Sequence, residues 1–406
     1  MNYDLMVIGA GIGGCALSIT MARAGSKVLL LEASQVYEDR VRGEWIAPWG
    51  IKEVQSLGLY DLLIGAGGHH VSTHITYDET RSADASEAQP TPLAIFVPGI
   101  SGPLCIGHPH HCQTLFDEAL RSGVTAIRGV QVQSLTAGSE PGVTWIDAQG
   151  EHTASGDLLV GADGRASMVR EALGVPLHQD PPHHMFAGLL VDGVEDWDAS
   201  RQTIGTEGEF NFLTFPQGDG RVRVYGCFPI AQRRMFASQD GPRAFMEAFS
   251  TKCAPDHVKI SQARPAGPLF SYFNNDAWTD QPYAKGGVLI GDAAGWNDPI
   301  IGQGLSITYR DVRIVSDILK QGGVPDFKPY AQERAERLRR LRFTAALTSS
   351  LEAEFGPDAA QRRRRHHEAA MIDPSLRMHA FATMAGPEML PPEVFTPEHR
   401  ARVLGA

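Results

Sequence analysis

The sequence predicts an α/β fold: a Rossmann-like unit, a mostly antiparallel sheet inserted into it, and helices at the C-terminal end. Three observations predict it. A short aliphatic run, Asp4 to Ile8, leads directly into Gly9-Ala10-Gly11-Ile12-Gly13-Gly14 and then a helix-like stretch to Ala24. Alternating apolar and polar residues recur from His183 to Trp278, the pattern of half-buried strands. The last part of the chain is helical in pattern and rich in charge.

Taken in order, Gly25 stops the first helix, and Val28 to Leu31 is a second buried strand ending in Glu32, which completes one βαβ unit. From Thr73 to Ile106 short strands are expected, with Glu79 to Pro92 as a mobile polar loop and a strand-like run at Leu93 to Val97. A helix from Gln113 to Arg121 and strands at Thr125 to Leu135, Val143 to Ile146 and Asp157 to Val160 return the chain to its first unit. In the inserted sheet, Phe210 to Phe215 and Val222 to Phe228 are joined by the hairpin turn Gly218-Asp219-Gly220, and a helix covers Pro242 to Lys252. The buried strand Gly287 to Ile290 precedes Gly291-Asp292, and a helix follows from Gly304 to Leu319. The run Arg362 to Arg365 is assigned to a solvated helix face.

With 406 residues the chain can form two or three packed units, and 43% hydrophobic with 20% charged residues is an ordinary globular composition. A formal net charge of -11 argues against a nucleic-acid surface, which needs clustered cations. Five cysteines without C-x-x-C spacing signal neither a disulfide framework nor a zinc site, and they fit a reducing cytoplasm. The sequence shows no signal-peptide pattern and no apolar run near the ~20 residues that span a bilayer, so export and membrane insertion are not expected.

The chemistry begins in the first turn. Gly9 permits the tight bend, Gly11 lets backbone N–H groups approach a pyrophosphate, and Gly14 lets the helix pack on the sheet, with Gly13 counted among the cofactor-binding residues of the same turn. Glu32 is placed to accept hydrogen bonds from ribose hydroxyls, and its charge disfavours a 2′-phosphate. FAD and NAD both satisfy this motif. Two later segments narrow the choice: Gly161-Ala162-Asp163-Gly164-Arg165, and Gly291-Asp292-Ala293-Ala294 followed by Pro299 and Gly302-Gln303-Gly304. With the first motif, and in the same order over most of residues 1 to 320, they resemble the para-hydroxybenzoate hydroxylase-like family of single-component FAD monooxygenases.

That resemblance implies a discontinuous FAD-binding domain over 1–72, 107–182 and 284–325, a substrate domain over 73–106 and 183–283, and a C-terminal helical region over 326–406. It implies that Asp292 accepts from the ribityl chain and that Gly302-Gln303-Gly304 starts a helix whose N–H groups face the flavin pyrimidine ring. Asp163 is expected to support the cofactors or to cap the helix beginning near Ala166. Arg42 matches an arginine near the flavin phosphates or mobile ring, with a plain surface arginine as the other reading. Trp45, Pro48 and Trp49 either wall the active site or pack the core, and Phe212, Arg223 and Tyr225 match strand positions that face the flavin.

The implied reaction uses FAD, NADH or NADPH as a transient reductant and O2, through a flavin C4a-hydroperoxide, to hydroxylate or epoxidise an aromatic or polyketide-like small molecule. A monomer or homodimer is expected, with no nucleic-acid or membrane partner. Oxygen transfer requires no fixed acid or base, and catalytic residues are therefore unassigned; His108, His184 and Pro299 are the candidates. The histidines at His108, His110, His111, His183 and His184 have no helical i, i+4 pair and no nearby acidic partner in sequence, so no metal is expected. The sequence departs from the family at Gly295, Cys112 and Ser306. The segment Gly295 to Pro299 also resembles flavin-dependent halogenases and geranylgeranyl-type reductases, although no W-x-W-x-I-P segment is present. Alternatives are therefore an FAD-dependent reductase of carbon–carbon double bonds, a halogenase-like oxidoreductase, and a non-catalytic flavin-binding sensor.

Overall fold

The computed structural model describes residues 2–405. The aliphatic run becomes the strand Asn2–Ile8, whose side chains divide between two faces: Leu5 and Val7 enter one apolar cluster, and Tyr3, Met6 and Ile8 enter another. A strand buried on both faces belongs inside a covered parallel sheet. It pairs in parallel with Val28–Glu32 on one side and Gly150–Gly161 on the other, and Thr125–Arg128 and Gly287–Leu289 continue the sheet outward, also in parallel. The helices Ile12–Arg23 and Gly304–Lys320 pack against each other on the face that carries Leu5 and Val7.

The second sheet is built from Arg201–Glu207, Phe210–Gly218, Arg221–Phe228 and His184–Asp192, antiparallel neighbours in that order, with Thr73–Asp78 joined to Arg201–Glu207 in parallel. Alternation along Phe210–Gly218 sorts its side chains by face. Phe210 and Phe212 enter a cluster with Phe245 and Phe249 beneath the helix Gly241–Glu247, whereas Leu213 and Phe215 join the cluster that contains Leu5 and Val7 of the parallel sheet. A cavity lies between that second face and the parallel sheet.

The expected fold class is therefore observed, with local corrections. The helix expected from Gln113 starts at His108, because Pro109 is well suited to a first turn, where its missing N–H has no partner to lose. The polar stretch Glu79 to Pro92 is not a bare loop: Ser82 caps a short helix, Ala83–Glu87, by accepting from the Ala85 N–H at 3.2 Å. The helix near Ala166 is Met168–Ala172 with Ser167 as its cap, and the helix expected over Pro242 to Lys252 stops at Glu247. At the C-terminal end, Lys328–Glu352, Ala359–Ile372, Met378–Ala385 and Pro397–Leu404 are helices. The arginine run is only partly solvated, since Arg363 is buried and paired with Asp78 at 2.6 Å and with Glu79. Among the described residues no helix is long and apolar enough to cross a membrane.

Candidate active site

The helices Ile12–Arg23 and Gly304–Lys320 begin at one cavity of 1510 Å³, and neither is capped by a side chain. Each therefore presents first-turn N–H groups without intrahelical partners, together with the positive end of its dipole. Pockets for drug-sized ligands measure ~300–1,000 Å³, so this cavity has room for a dinucleotide and a second molecule.

Gly9, Gly11 and Gly13 line the cavity. Gly9 has φ +96°, and a Cβ there would run into the Ala162 carbonyl, whereas a Cβ on Gly11 would meet nothing within 4 Å. Gly14 does not line the cavity; a Cβ there would overlap the Gly9 carbonyl, so its part is close packing of turn and helix. Glu32 reaches back to the turn, Oε2 accepting from the Ala10 N–H at 2.7 Å and Oε1 from the Ser34 N–H at 2.8 Å.

Arg42, Asp163 and Asp292 also line the cavity. The Asp163 carboxylate accepts from the Ser167 hydroxyl at 2.5 Å and the Val169 N–H at 3.2 Å, so it supports the short helix while facing the cavity. Burial raises its pKa. Asp292 accepts from Arg165 Nε at 3.3 Å, and that guanidinium lies over the Trp296 ring. Pro299 opens the turn Pro299–Ile301, Gly302 follows with φ +66°, and Gly304 has open space where a Cβ would stand. The Gln303 amide is fixed: it donates to the Ile301 and Thr383 carbonyls at 2.5 and 3.1 Å and accepts from Trp49 Nε1 at 2.8 Å. Trp49 thus stands behind the turn and does not wall the cavity, a correction to one of its two readings.

Trp45, Phe215 and Tyr225 pack in a row among the aromatic residues of the lining, with Phe186 stacked on Tyr225. Trp45 Nε1 donates to Gln202 Oε1 at 2.8 Å, and the Tyr225 hydroxyl donates to Glu44 Oε2 at 2.5 Å. Burial pushes the Glu44 carboxyl up, while Arg223 and Tyr225 pull it down. Arg223 shares the Tyr225 face of its strand but is closed off by Glu44 and by Asp39 at 2.7 Å, so it does not open into the cavity. Phe212 is corrected outright: strand alternation sends it to the opposite face, against Phe249 and His257.

Neither histidine candidate keeps the near-neutral pKa that a general base would need. His108 lines the cavity, but burial and then Arg42 lower it to about 4. His184 is outside the cavity, hydrogen-bonded to Asn274 at 3.0 Å and lowered to about 4 by burial. His183, read from sequence as lacking acidic partners, has its ring within 4.8 Å of Asp180 and Asp276 carboxylates. Arg339, Arg342 and Arg400 line that same depression and oppose a cation there.

Sequence reasoning missed the Asp311 cluster. Arg334 and Arg337 donate to the buried Asp311 carboxylate at 3.0 and 2.7 Å, and Arg334 also donates to the Gly291, Ala294 and Gly295 carbonyls. The Asp292 turn is thereby fixed from the C-terminal helix. Helical arginines by default read as solvated, and only their spacing of three along one face hinted otherwise.

A family model described as the FAD binding domain matches residues 2–337. Squalene monooxygenase of Mus musculus is 27% identical over 335 residues, 80% of this chain and 55% of that protein, so the chain spans little more than half of that relative. Menaquinone reductase of Mycolicibacterium smegmatis is 25% identical over 349 residues, 80% of this chain and 78% of that protein. The solved structure of p-nitrophenol 4-monooxygenase from Pseudomonas putida has the same fold, with a TM-score of 0.75, 15% identity, and coverage of 94% of this chain and 97% of that one.

Proposed function

The chain belongs to the FAD binding domain family, and on that premise we propose that it is an FAD-dependent monooxygenase. It would take electrons from NADH or NADPH, bound transiently, and insert one atom of O2 into a small aromatic or polyketide-like molecule. The observation that carries this reading is the convergence of two uncapped helix N-termini and the Asp292 turn on one cavity that also has an aromatic chamber.

The residues present fit FAD. The open Cβ positions of Gly11 and Gly304 leave space at two sets of free N–H groups, suited to a pyrophosphate and to the ring edge that gains negative charge on reduction. Glu32 would hold ribose hydroxyls and Asp292 the ribityl hydroxyls, with Arg42 near the phosphates or ring. Bound there, FAD supplies electron storage and oxygen activation. The chain's own part is shelter and positioning: Trp45, Phe215 and Tyr225 exclude water and hold the substrate. The polar tips of Trp45 and Tyr225 are already engaged by Gln202 and Glu44, so neither is free to protonate a carbon. That arrangement suits oxygen transfer.

A reductase of carbon–carbon double bonds is the second reading, favoured by the Gly295 to Pro299 segment and by the likeness to a menaquinone reductase. Oxygen separates the two. Aromatic metabolites that accelerate NAD(P)H oxidation should yield product only in air; product formed under strict anaerobiosis would select the reductase.

A further inference from the structure

The cavity is lined not only by the nucleotide turns and the aromatic chamber but also by Arg81, His367 and Arg377, from the inserted loop and the C-terminal helical region. Arg377 Nη2 donates to His367 Nδ1 at 3.3 Å and lies 3.8 Å from the Met371 sulfur. Arg81 donates to the Ala85 carbonyl at 2.9 Å and to Gln89 Oε1 at 3.5 Å. Neither guanidinium has a carboxylate partner among the described residues, whereas Arg363 in the same wall is matched by Asp78 and Glu79. Burial, with Arg81 as the second cause, holds Arg377 below its usual range.

We propose that Arg81 and Arg377, with His367 beside them, form an anion subsite that receives the carboxylate end of a substrate whose apolar body fills the aromatic chamber. The inference rests on the monooxygenase reading only for the fate of that body; the subsite is a matter of binding. The two guanidiniums line one partly desolvated wall and act on each other as like charges, and an anion bound between them adds two attractions that outweigh that repulsion. A carboxylate fits better than a phosphate dianion. Asp78 and Glu79 offset two of the three arginines, and Glu352, which lines the same cavity with its carboxyl raised to about 7 chiefly by burial, supplies a further partial negative charge, which leaves room for at most about one more; a planar carboxylate matches the guanidinium fork. His367 is held below its ordinary pKa by burial and by the two arginines, so it adds a hydrogen-bonding group and no second charge near pH 7.

The test is calorimetric titration of the FAD-loaded protein with ω-phenylalkanoates of increasing chain length and with the matching primary amides. The acids are expected to bind about tenfold tighter than their amides, or more, as hydrogen bonds to charged groups imply. In the Arg81→Met, Arg377→Met double variant that preference should vanish while amide affinity, FAD content and thermal midpoint stay as in the parent, and Arg365→Met, on an exposed position, should change nothing. The proposal is overturned if no acid of the series binds, if acid and amide bind equally in the parent, if the preference survives in the double variant, or if acetate or inorganic phosphate binds as tightly as the phenylalkanoates. These readouts need no turnover. A missing oxygen requirement would sink the monooxygenase reading and leave the subsite standing, and a missing charge preference would do the reverse.

Discussion

At Gly11 a methyl group would meet no protein atom within 4 Å, and the backbone there is extended, so Gly11→Ala should leave the unfolding free energy within about 0.5 kcal/mol of the parent. The methyl would instead occupy the cofactor's approach, and the purified variant should carry far less FAD per chain, read from the flavin-to-protein absorbance ratio. Retained FAD would remove Gly11 from the cradle. A second residue-scale prediction concerns Asp298, buried beside His184 and Asp276, whose carboxyl is raised to about 7, chiefly by burial. Between the ordinary carboxyl pKa of ~4 and about 7 the folded chain holds a proton that the unfolded chain has released. Its contribution to stability is thus full at low pH and is lost as pH rises through about 7. Unfolding free energies of Asp298→Asn relative to the parent should shift in favour of the variant across that interval, by up to a few kcal/mol, and a flat difference would contradict the assignment. At this scale the sequence was legible where a motif fixed the backbone, as at Gly9, where φ is +96°. It failed for Phe212, because strand membership was readable and the face it points to was set by a register the sequence did not show.

Among the elements, the helix Lys328–Glu352 does more than cover the molecule. Its Arg334 is buried and satisfies Asp311 and three carbonyls of the 291–295 turn at once. Against burial, which raises it, Arg334 and Arg337 hold the Asp311 carboxyl below its ordinary range. Arg334→Ala would leave a buried carboxylate short of a partner and is expected to cost about 3–5 kcal/mol in denaturant unfolding, with FAD release following from the loosened Asp292 turn. A loss below about 1 kcal/mol would show that the cluster is not structural. The helices and the two sheets were readable as elements because apolar periodicity marks them. The buried arginines were not, since charge in a helical pattern carries no sign of what will pack over it.

For the whole molecule, the order of motifs along the chain prescribed a discontinuous arrangement in which distant turns meet, and the turns do meet at one cavity. What the sequence withheld is that the C-terminal region also walls that cavity, through His366, His367, Arg377 and Met384 among others. No motif covers that region, and its long-range contacts with the inserted sheet, such as Arg363 with Asp78, arise only on folding. Under the proposed assignments, the cavity joins an FAD cradle to an apolar chamber and a cationic end, as an enzyme that brings a cofactor to an elongated substrate would require. The most direct test of that account is turnover under 18O2 with NAD(P)H and a ligand that accelerates flavin reduction, followed by mass spectrometry of the product. One atom of 18O per product molecule, with oxygen uptake matching NAD(P)H oxidation, is the predicted result; a product without 18O, formed equally well in the absence of oxygen, would contradict it.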